Sequence, residues 1–374
     1  MDKAKGLTIV ADSNIASLED FFSAATLGKI SEQTVNIITV AGRDITADLL
    51  AEVQPEVVLI RSVTRVDASL LADNDSVQFI GSATIGTDHV DQDYLAKRNI
   101  TFANAAGCSK HSVAQYVLTA VLTLRPDYWQ QPITLGIIGL GNIGSTLAQY
   151  ANDLGWQILG YDPLLPSSTT NNASFEQVLR QSDVVSLHVP LTDDTGMSGD
   201  INDTYPTRHL IDAVALAMMP SHTLLINSAR GPVINEHDLQ ADIAQTGRQV
   251  VLDVFEHEPQ VAGSLLDKLT IATPHIAGYT LEGKLRGTQI IYEALCEKLN
   301  ITATQTMARL LPLNMFLWSE LKTHPERLTK FYDIRQDDAT LRSQVSGTDT
   351  NRQVNGADFD QLRRDYHLRR EWQF

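Results

Sequence analysis

The sequence predicts an α/β protein built on parallel sheets with helices over both faces. Three observations carry that prediction. Short β-branched apolar runs recur along the chain, separated by segments with helical spacing. One of these runs opens directly onto a glycine-rich turn, Gly139-Leu140-Gly141-Asn142-Ile143-Gly144. The alternation then fades beyond Asn300, where a shorter, charge-rich segment follows.

Taken in order, the first strands read as LTIVAD (7–12), VNIITV (35–40), VVLIRS (57–62), VQFIGS (77–82) and ITFAN (100–104). Continuous apolar runs of this kind mark strands buried on both faces of a parallel sheet. An apolar helix, SVAQYVLTAVLTL (112–124), bridges to a second series: LGIIGL (135–140), ILGYD (158–162), VVSLHV (184–189), TLLINS (223–228), VVLDVF (250–255) and LTIATP (269–274). A second helical stretch, LEGKLRGTQIIYEALCEKL (281–299), crosses back. The tail, ending FDQLRRDYHLRREWQF, reads as a third, smaller unit.

A chain of 374 residues has room for two or three domains, and its 43% hydrophobic and 20% charged residues suit more than one core. Its formal net charge of -16 repels phosphate backbones and anionic lipid, so neither nucleic acid nor membrane is an expected partner. An anionic small molecule would need a local basic site. Two cysteines, Cys108 and Cys296, fit a reducing compartment and no disulfide framework. The first residues lack a secretory pattern, and no apolar run nears the roughly 20 residues of a membrane span. A soluble cytoplasmic protein is expected.

Four stretches carry chemistry. In the glycine turn, Gly139 permits the tight turn, Gly141 lets backbone approach a pyrophosphate, and Gly144 allows close helix–strand packing. The helix that starts at Asn142 and Ile143 supplies partial positive charge. Asp162 ends the next strand about 20 residues on, where a ribose-binding carboxylate belongs, and an acid there favours NAD over its 2′-phosphorylated form. Asn227-Ser228-Ala229-Arg230-Gly231 closes a later strand, and Arg230 offers paired planar donors to a carboxylate or keto acid. The stretch LDVFEHEP holds Asp253, Glu256, His257 and Glu258, any of whose carboxylates could orient His275 in TPHIAGYT. His257, between two acids, is expected to face solvent. Near the N-terminus, Ser62, Thr84 and Gly86 could hydrogen-bond a polar ligand, and Arg61 or Arg65 could meet an anion. Cys108 has no base beside it and reads as a packed or lining residue. No metal-ligand spacing such as HExxH is present, so no metal is expected.

In this order and spacing, GLGNIG with Asp162, then NSARG, LDVFEHEP and TPHIAGYT, the chain resembles the D-isomer-specific 2-hydroxyacid dehydrogenases. IRSVTRV, GSATIGTDHVD, YDIRQDDATLR and LRRDYHLRREW narrow the resemblance to a branch with an added C-terminal unit that acts on a phosphorylated 2-hydroxy acid. The resemblance implies a flavodoxin-like substrate domain (1–108 and 276–299), a Rossmann NAD domain (109–275) and a C-terminal α+β dimerisation domain (300–374) that makes a homodimer. It implies Arg230, Glu258 and His275 as catalytic residues. It places Asp162, Ser228, Ala229, Asp253 and Gly278 at NAD and Ser62, Thr84 and Tyr279 at the substrate. Val189 stands where relatives often carry threonine, so only a backbone contact to NAD would survive there. Gln115 replaces a common acid in the bridging helix, and the segment 192–209 suggests an altered surface loop. The substrate phosphate would be met by Arg61, Arg65, Lys110 or arginines of the tail. Two alternatives stay open: a sister dehydrogenase acting on phosphoglycerate, glycerate or lactate, and a non-catalytic NAD-sensing scaffold.

Overall fold

A computed structural model describes residues 6–27, 34–166, 172–193, 205–348 and 351–374. Part of the suggested surface loop, 194–204, lies outside the described residues. The contacts divide the chain into two units: Met1–Ser109 with Thr280–Asn314, and Lys110–Tyr279 with Met315–Phe374. Of the tail expected as a third unit, the residues up to Asn314 go with the first unit and the remainder with the second.

The first unit holds β1 (Leu7–Asp12), β2 (Val35–Val40), β3 (Val57–Ile60), β4 (Phe79–Ser82) and β5 (Thr101–Asn104) in one parallel sheet of order β2-β1-β3-β4-β5. This is the flavodoxin-like order. Ile9, Leu59 and Phe79 of the sheet share a core with Leu285, Ile291, Tyr292 and Leu295 of the returning helix Leu281–Lys298. That helix comes so near that a Cβ at Gly81 would lie 3.2 Å from the Cβ of Ile291. A larger residue there would push the layers apart.

The second unit holds β6 (Thr134–Ile138), β7 (Gln157–Tyr161), β8 (Val184–Leu187), β9 (Leu224–Asn227), β10 (Val250–Leu252), a short β11 (Val261–Ala262) and β12 (Ile271–Ala272). Its main sheet is parallel, in the order β12-β10-β9-β8-β6-β7, so the chain reverses direction across the sheet at β6. A ligand crevice belongs at the carboxyl ends of strands beside such a reversal. The bridging helix Lys110–Leu124 is buried from Ser112 to Leu122, as an all-round apolar helix must be.

The tail is bound into this unit by specific contacts. Asp338, on the helix Ile334–Ser343, accepts from the backbone N–H of Ala272 at 2.8 Å, which satisfies the outer edge of β12. A last strand, β13 (Gln353–Val354), pairs antiparallel with β11. Gln115 donates to Tyr150 Oη (2.8 Å) and to the Trp372 carbonyl (3.0 Å), and accepts from the Trp372 N–H (2.9 Å). An amide carries both the acceptor and the donor that the N–H and C=O of this one residue require, whereas an ionised acid could only accept.

Candidate active site

The strand ends of the second unit converge on one constellation. Beyond β6 the backbone turns through Gly139, whose φ of 94° favours glycine and whose Cβ would lie 2.6 Å from the His188 carbonyl beyond β8. A Cβ at Gly144 would strike the Gly139 carbonyl at 2.0 Å, so the helix Asn142–Asp153 can press against the turn only with glycine there. Gly141 faces open space and caps that helix without a side-chain hydrogen bond, leaving its first N–H groups for an anion. Asp162 accepts from Leu140 N at 3.0 Å and from Leu164 N at 3.1 Å. Two of the roughly four lone-pair sites of its carboxylate are thereby taken and the others remain for a ribose. Ser228 Oγ is buried without a protein partner beyond β9. These residues fit a dinucleotide.

Beyond β9, Asn227 holds the next turn by accepting from Ala229 N (3.0 Å) and donating to the Arg230 carbonyl (2.9 Å). A Cβ on Gly231 would fall 1.9 Å from the Phe255 carbonyl. Glycine after Arg230 thus brings the arginine's loop against the turn that carries Glu258. Arg230 itself is half-buried and donates to the Ala229 carbonyl at 2.8 Å.

Glu258 and His275 form a direct pair. His275 Nδ1 lies 2.8 Å from Glu258 Oε2, and the other carboxylate oxygen accepts from Phe255 N at 2.8 Å. Burial would raise the Glu258 carboxyl. The His275 charge and hydrogen bond, the Phe255 N–H and the charge of Arg363 outweigh it and hold the group below the usual glutamate value. An ionised Glu258 is an acceptor only, so His275 Nδ1–H donates to it and Nε2 is the ring atom left to exchange a proton. His257 is exposed, as expected.

Asp253 is 1% exposed and organises the histidine's loop. Its carboxylate accepts from Ile276 N (2.8 Å), Ala277 N (2.9 Å) and Thr273 Oγ1 (2.6 Å), and its carbonyl accepts from His275 N at 2.8 Å. These bonds hold His275 at a φ of 56°, a conformation costing about 1 kcal/mol or more for a side chain of this kind. Burial pushes the Asp253 carboxyl up, against the opposing effects of His275 and these hydrogen bonds. From the tail, Arg369 donates to the Ala277 carbonyl at 2.7 Å. Tyr279 stands edge-on to Tyr366, 6.1 Å between centroids. Val189 packs partly buried beside the glycine turn.

In the first unit, Ser62 and Thr84 each lie two residues beyond the paired positions Ile60 and Ser82 on adjacent strands. Ser62 is exposed, and Thr84 Oγ1 lies 2.8 Å from Ser82 Oγ. Arg65 is 83% exposed in its side chain and bonded to Asp67, whereas Arg61 reaches back to the Asn14 carbonyl at 3.3 Å. Cys108 is buried, and its carbonyl accepts from Arg286. Glu236, Glu256 and His257 come close enough together to suggest a metal centre. Glu236 and Glu256 instead cap each other's backbone N–H at 2.6 and 3.1 Å, and Glu256 also meets His209 at 2.7 Å.

Comparison with known proteins agrees with this geometry. Residues 127–277 match the D-isomer specific 2-hydroxyacid dehydrogenase, NAD binding domain, and residues 319–374 match a domain of unknown function, DUF3410. The chain is 70% identical to the erythronate-4-phosphate dehydrogenase of Psychrobacter cryohalolentis, covering 99% of this chain and 98% of that protein. The chain belongs to the erythronate-4-phosphate dehydrogenase family. The protein of that name from Psychrobacter arcticus is also 70% identical, over 99% of this chain and all of its own. An NAD⁺-bound 3-phosphoglycerate dehydrogenase from Entamoeba histolytica shares the fold, with a TM-score of 0.64 at 19% identity over 80% of this chain and 99% of its own. The second unit thus carries a Rossmann NAD-binding domain, and NAD is the cofactor.

Sequence reasoning missed the contacts that the tail makes here. Arg363 and Arg369 were legible only among the tail arginines offered for the substrate phosphate, because the residues they meet lie far away along the chain.

Proposed function

We propose that the chain oxidises erythronate 4-phosphate at C2 to (R)-3-hydroxy-2-oxo-4-phosphooxybutanoate with reduction of NAD⁺ to NADH and release of a proton, a step of pyridoxal 5′-phosphate formation. The observation that carries the reading is the 2.8 Å pair of His275 and Glu258 on a Rossmann unit, in a chain 70% identical to relatives of that name. His275 Nε2 takes the proton of the C2 hydroxyl and returns it in the reverse direction. Glu258 fixes the ring and stabilises the imidazolium as it forms. Arg230 grips the carboxylate and C2 oxygen. The bound nicotinamide supplies the hydride-accepting chemistry. Asp162, Ser228, Ala229, Asp253 and Gly278, with the glycine turn, hold NAD or the loops that face it. Ser62, Thr84 and Tyr279 hold the substrate.

The proposal includes a homodimer made through the tail, supported by the exposed apolar side chains of Met315 (68%) and Phe374 (69%). It also includes a cytoplasmic setting, supported by two free buried cysteines. No helix among the described residues is long and apolar enough to cross a membrane.

The test is NADH formation, with kcat/KM compared for erythronate 4-phosphate, erythronate, 3-phosphoglycerate, glycerate and lactate. Erythronate 4-phosphate should exceed the others by about two orders of magnitude or more, as sites built for a charged group discriminate. Equal use of erythronate would contradict the phosphate requirement.

A further inference from the structure

The loop that carries His275 is held from two sides. From the main sheet, Asp253 accepts from Ile276 N at 2.8 Å and from Ala277 N at 2.9 Å. From the tail, Arg369 Nη2 donates to the carbonyl of the same Ala277 at 2.7 Å. Ala277 is 1% exposed, and a buried carbonyl left without a donor costs free energy. One residue, two positions beyond His275, is therefore fixed at both its N–H and its C=O. A donor that carries charge makes the stronger kind of hydrogen bond.

Arg369 is itself tightly placed. Its guanidinium carbon lies 4.0 Å from the centroid of the Tyr332 ring, near enough for a cation–π contact. Nη1 donates to Tyr366 Oη at 3.2 Å. The hydroxyls of Tyr366 and Tyr332 donate in turn to Asp337 Oδ2, at 2.9 and 2.7 Å. A guanidinium only donates, whereas a phenol can do both, so the bonds run in one direction, from Arg369 through Tyr366 to the carboxylate. Asp337 sits on the helix Ile334–Ser343, whose Asp338 holds Ala272 N at 2.8 Å. Three residues beyond Arg369, Trp372 is bonded by Gln115 at both backbone groups and stacks on Trp318 with centroids 5.5 Å apart. The tail thus presets the arginine on both sides, and the Ala277 carbonyl is what it meets.

A base must sit within hydrogen-bond reach of the hydroxyl it deprotonates, and a small misplacement of such a group is felt strongly in the rate. His275 holds a φ of 56°, so its loop needs outside contacts to keep that conformation. We propose that Arg369 is a positioning residue for the proton step: with Asp253 it clamps the 275–277 loop at Ala277 and so fixes where the His275 imidazole stands. Its role runs through the loop and not through the substrate phosphate. The proposal rests on the reading above that His275 takes the proton.

Steady-state kinetics, NAD affinity and thermal midpoints of Arg369→Met, Arg369→Lys, Tyr366→Phe, His275→Ala and the double variant Arg369→Met/His275→Ala test it. Arg369→Met should lower kcat about tenfold to a hundredfold, with KM for the 2-hydroxy acid and the affinity for NAD each within about threefold of native. Arg369→Lys keeps a charged donor and should recover part of the rate. Tyr366→Phe removes a hydroxyl that steadies Arg369 but leaves the bond to Ala277, so kcat should fall about threefold at native KM. On the His275→Ala background, Arg369→Met should add less than about threefold, because its effect passes through the histidine. The proposal is overturned if Arg369→Met keeps kcat within about twofold of native, if its loss falls on KM or NAD affinity instead, if the losses of the two single variants multiply, or if Arg369→Lys is no better than Arg369→Met. Should Arg369→Met fail to fold, Tyr366→Phe decides, and an unchanged kcat there overturns the proposal. Near-native turnover of His275→Ala would sink the proton role and this proposal with it, whereas a slow His275→Ala beside a near-native Arg369→Met would sink this proposal alone. If the native enzyme oxidises a different 2-hydroxy acid, only the substrate assignment fails, and the same variants compared on that acid still decide the role of Arg369.

Discussion

The two sheets end differently at their carboxyl edges. Beyond β3 and β4 of the first unit, Ser62 is exposed and the Thr84 hydroxyl lies 2.8 Å from that of Ser82. Beyond β10 and β12 of the second, nearly every polar atom is committed. Asp253 takes three hydrogen bonds on its carboxylate, Glu258 bonds both His275 and Phe255 N, and Arg369 holds the Ala277 carbonyl. A group that must hand over a proton needs its position fixed before substrate arrives, whereas hydroxyls that recognise a ligand can complete their bonds on binding. On the proposed roles, the committed edge of the second unit carries the proton step, and the looser edge of the first contributes Ser62 and Thr84 to recognition, which Arg230 and Tyr279 of the second unit share.

The substitutions that test this separation differ in size. The largest effect is expected of His275→Ala, which should lower kcat by about two to four orders of magnitude with NAD still bound. Near-native turnover would remove the proton role from the second unit. Arg230→Lys comes next, with kcat/KM down about tenfold to a hundredfold, since an ammonium cannot reproduce the paired planar donors. An unchanged rate would mean that Arg230 does not grip the substrate. Ser62→Ala with Thr84→Val should act on KM, about threefold to tenfold, and leave kcat nearly alone. A large kcat loss would blur the division between the units.

The smallest effect is on stability. The folded protein holds Glu258 below its usual value of 4.5, so the group binds its proton less readily folded than unfolded. Its stabilising contribution is present above the usual value and is lost as pH falls through the folded one. Urea midpoints measured across that acidic range should fall more steeply for the native protein than for Glu258→Gln. Parallel curves would show that the Glu258–His275 pair does not favour the charged carboxylate.

Much of this was legible in the sequence. All eleven apolar runs appear as strands, in two parallel sheets, because burial on both faces leaves an unbroken apolar signature. Gly139 was legible as a turn residue and Gly144 as a helix–strand packing residue, and their close backbone contacts explain them. Asp253 was legible as an acid at a strand end. Its neighbours in sequence did not reveal that backbone N–H groups of the 275–277 loop occupy its carboxylate, a fact of tertiary packing. The tail was the least legible. Its helices are short and polar, with burial resting on one or two anchors, Phe359 in one and Ile334 with Leu341 in another, too few to set a period.

The proton step is tested most directly by the pH dependence of kcat/KM for erythronate 4-phosphate in the native enzyme and in His275→Ala. A base that must be neutral to act makes the native rate fall on the acid side. The residual activity of His275→Ala should lose that fall and run flat across the same range. If the acid limb survives unchanged in His275→Ala, another group takes the proton, and the role assigned to the His275–Glu258 pair is wrong.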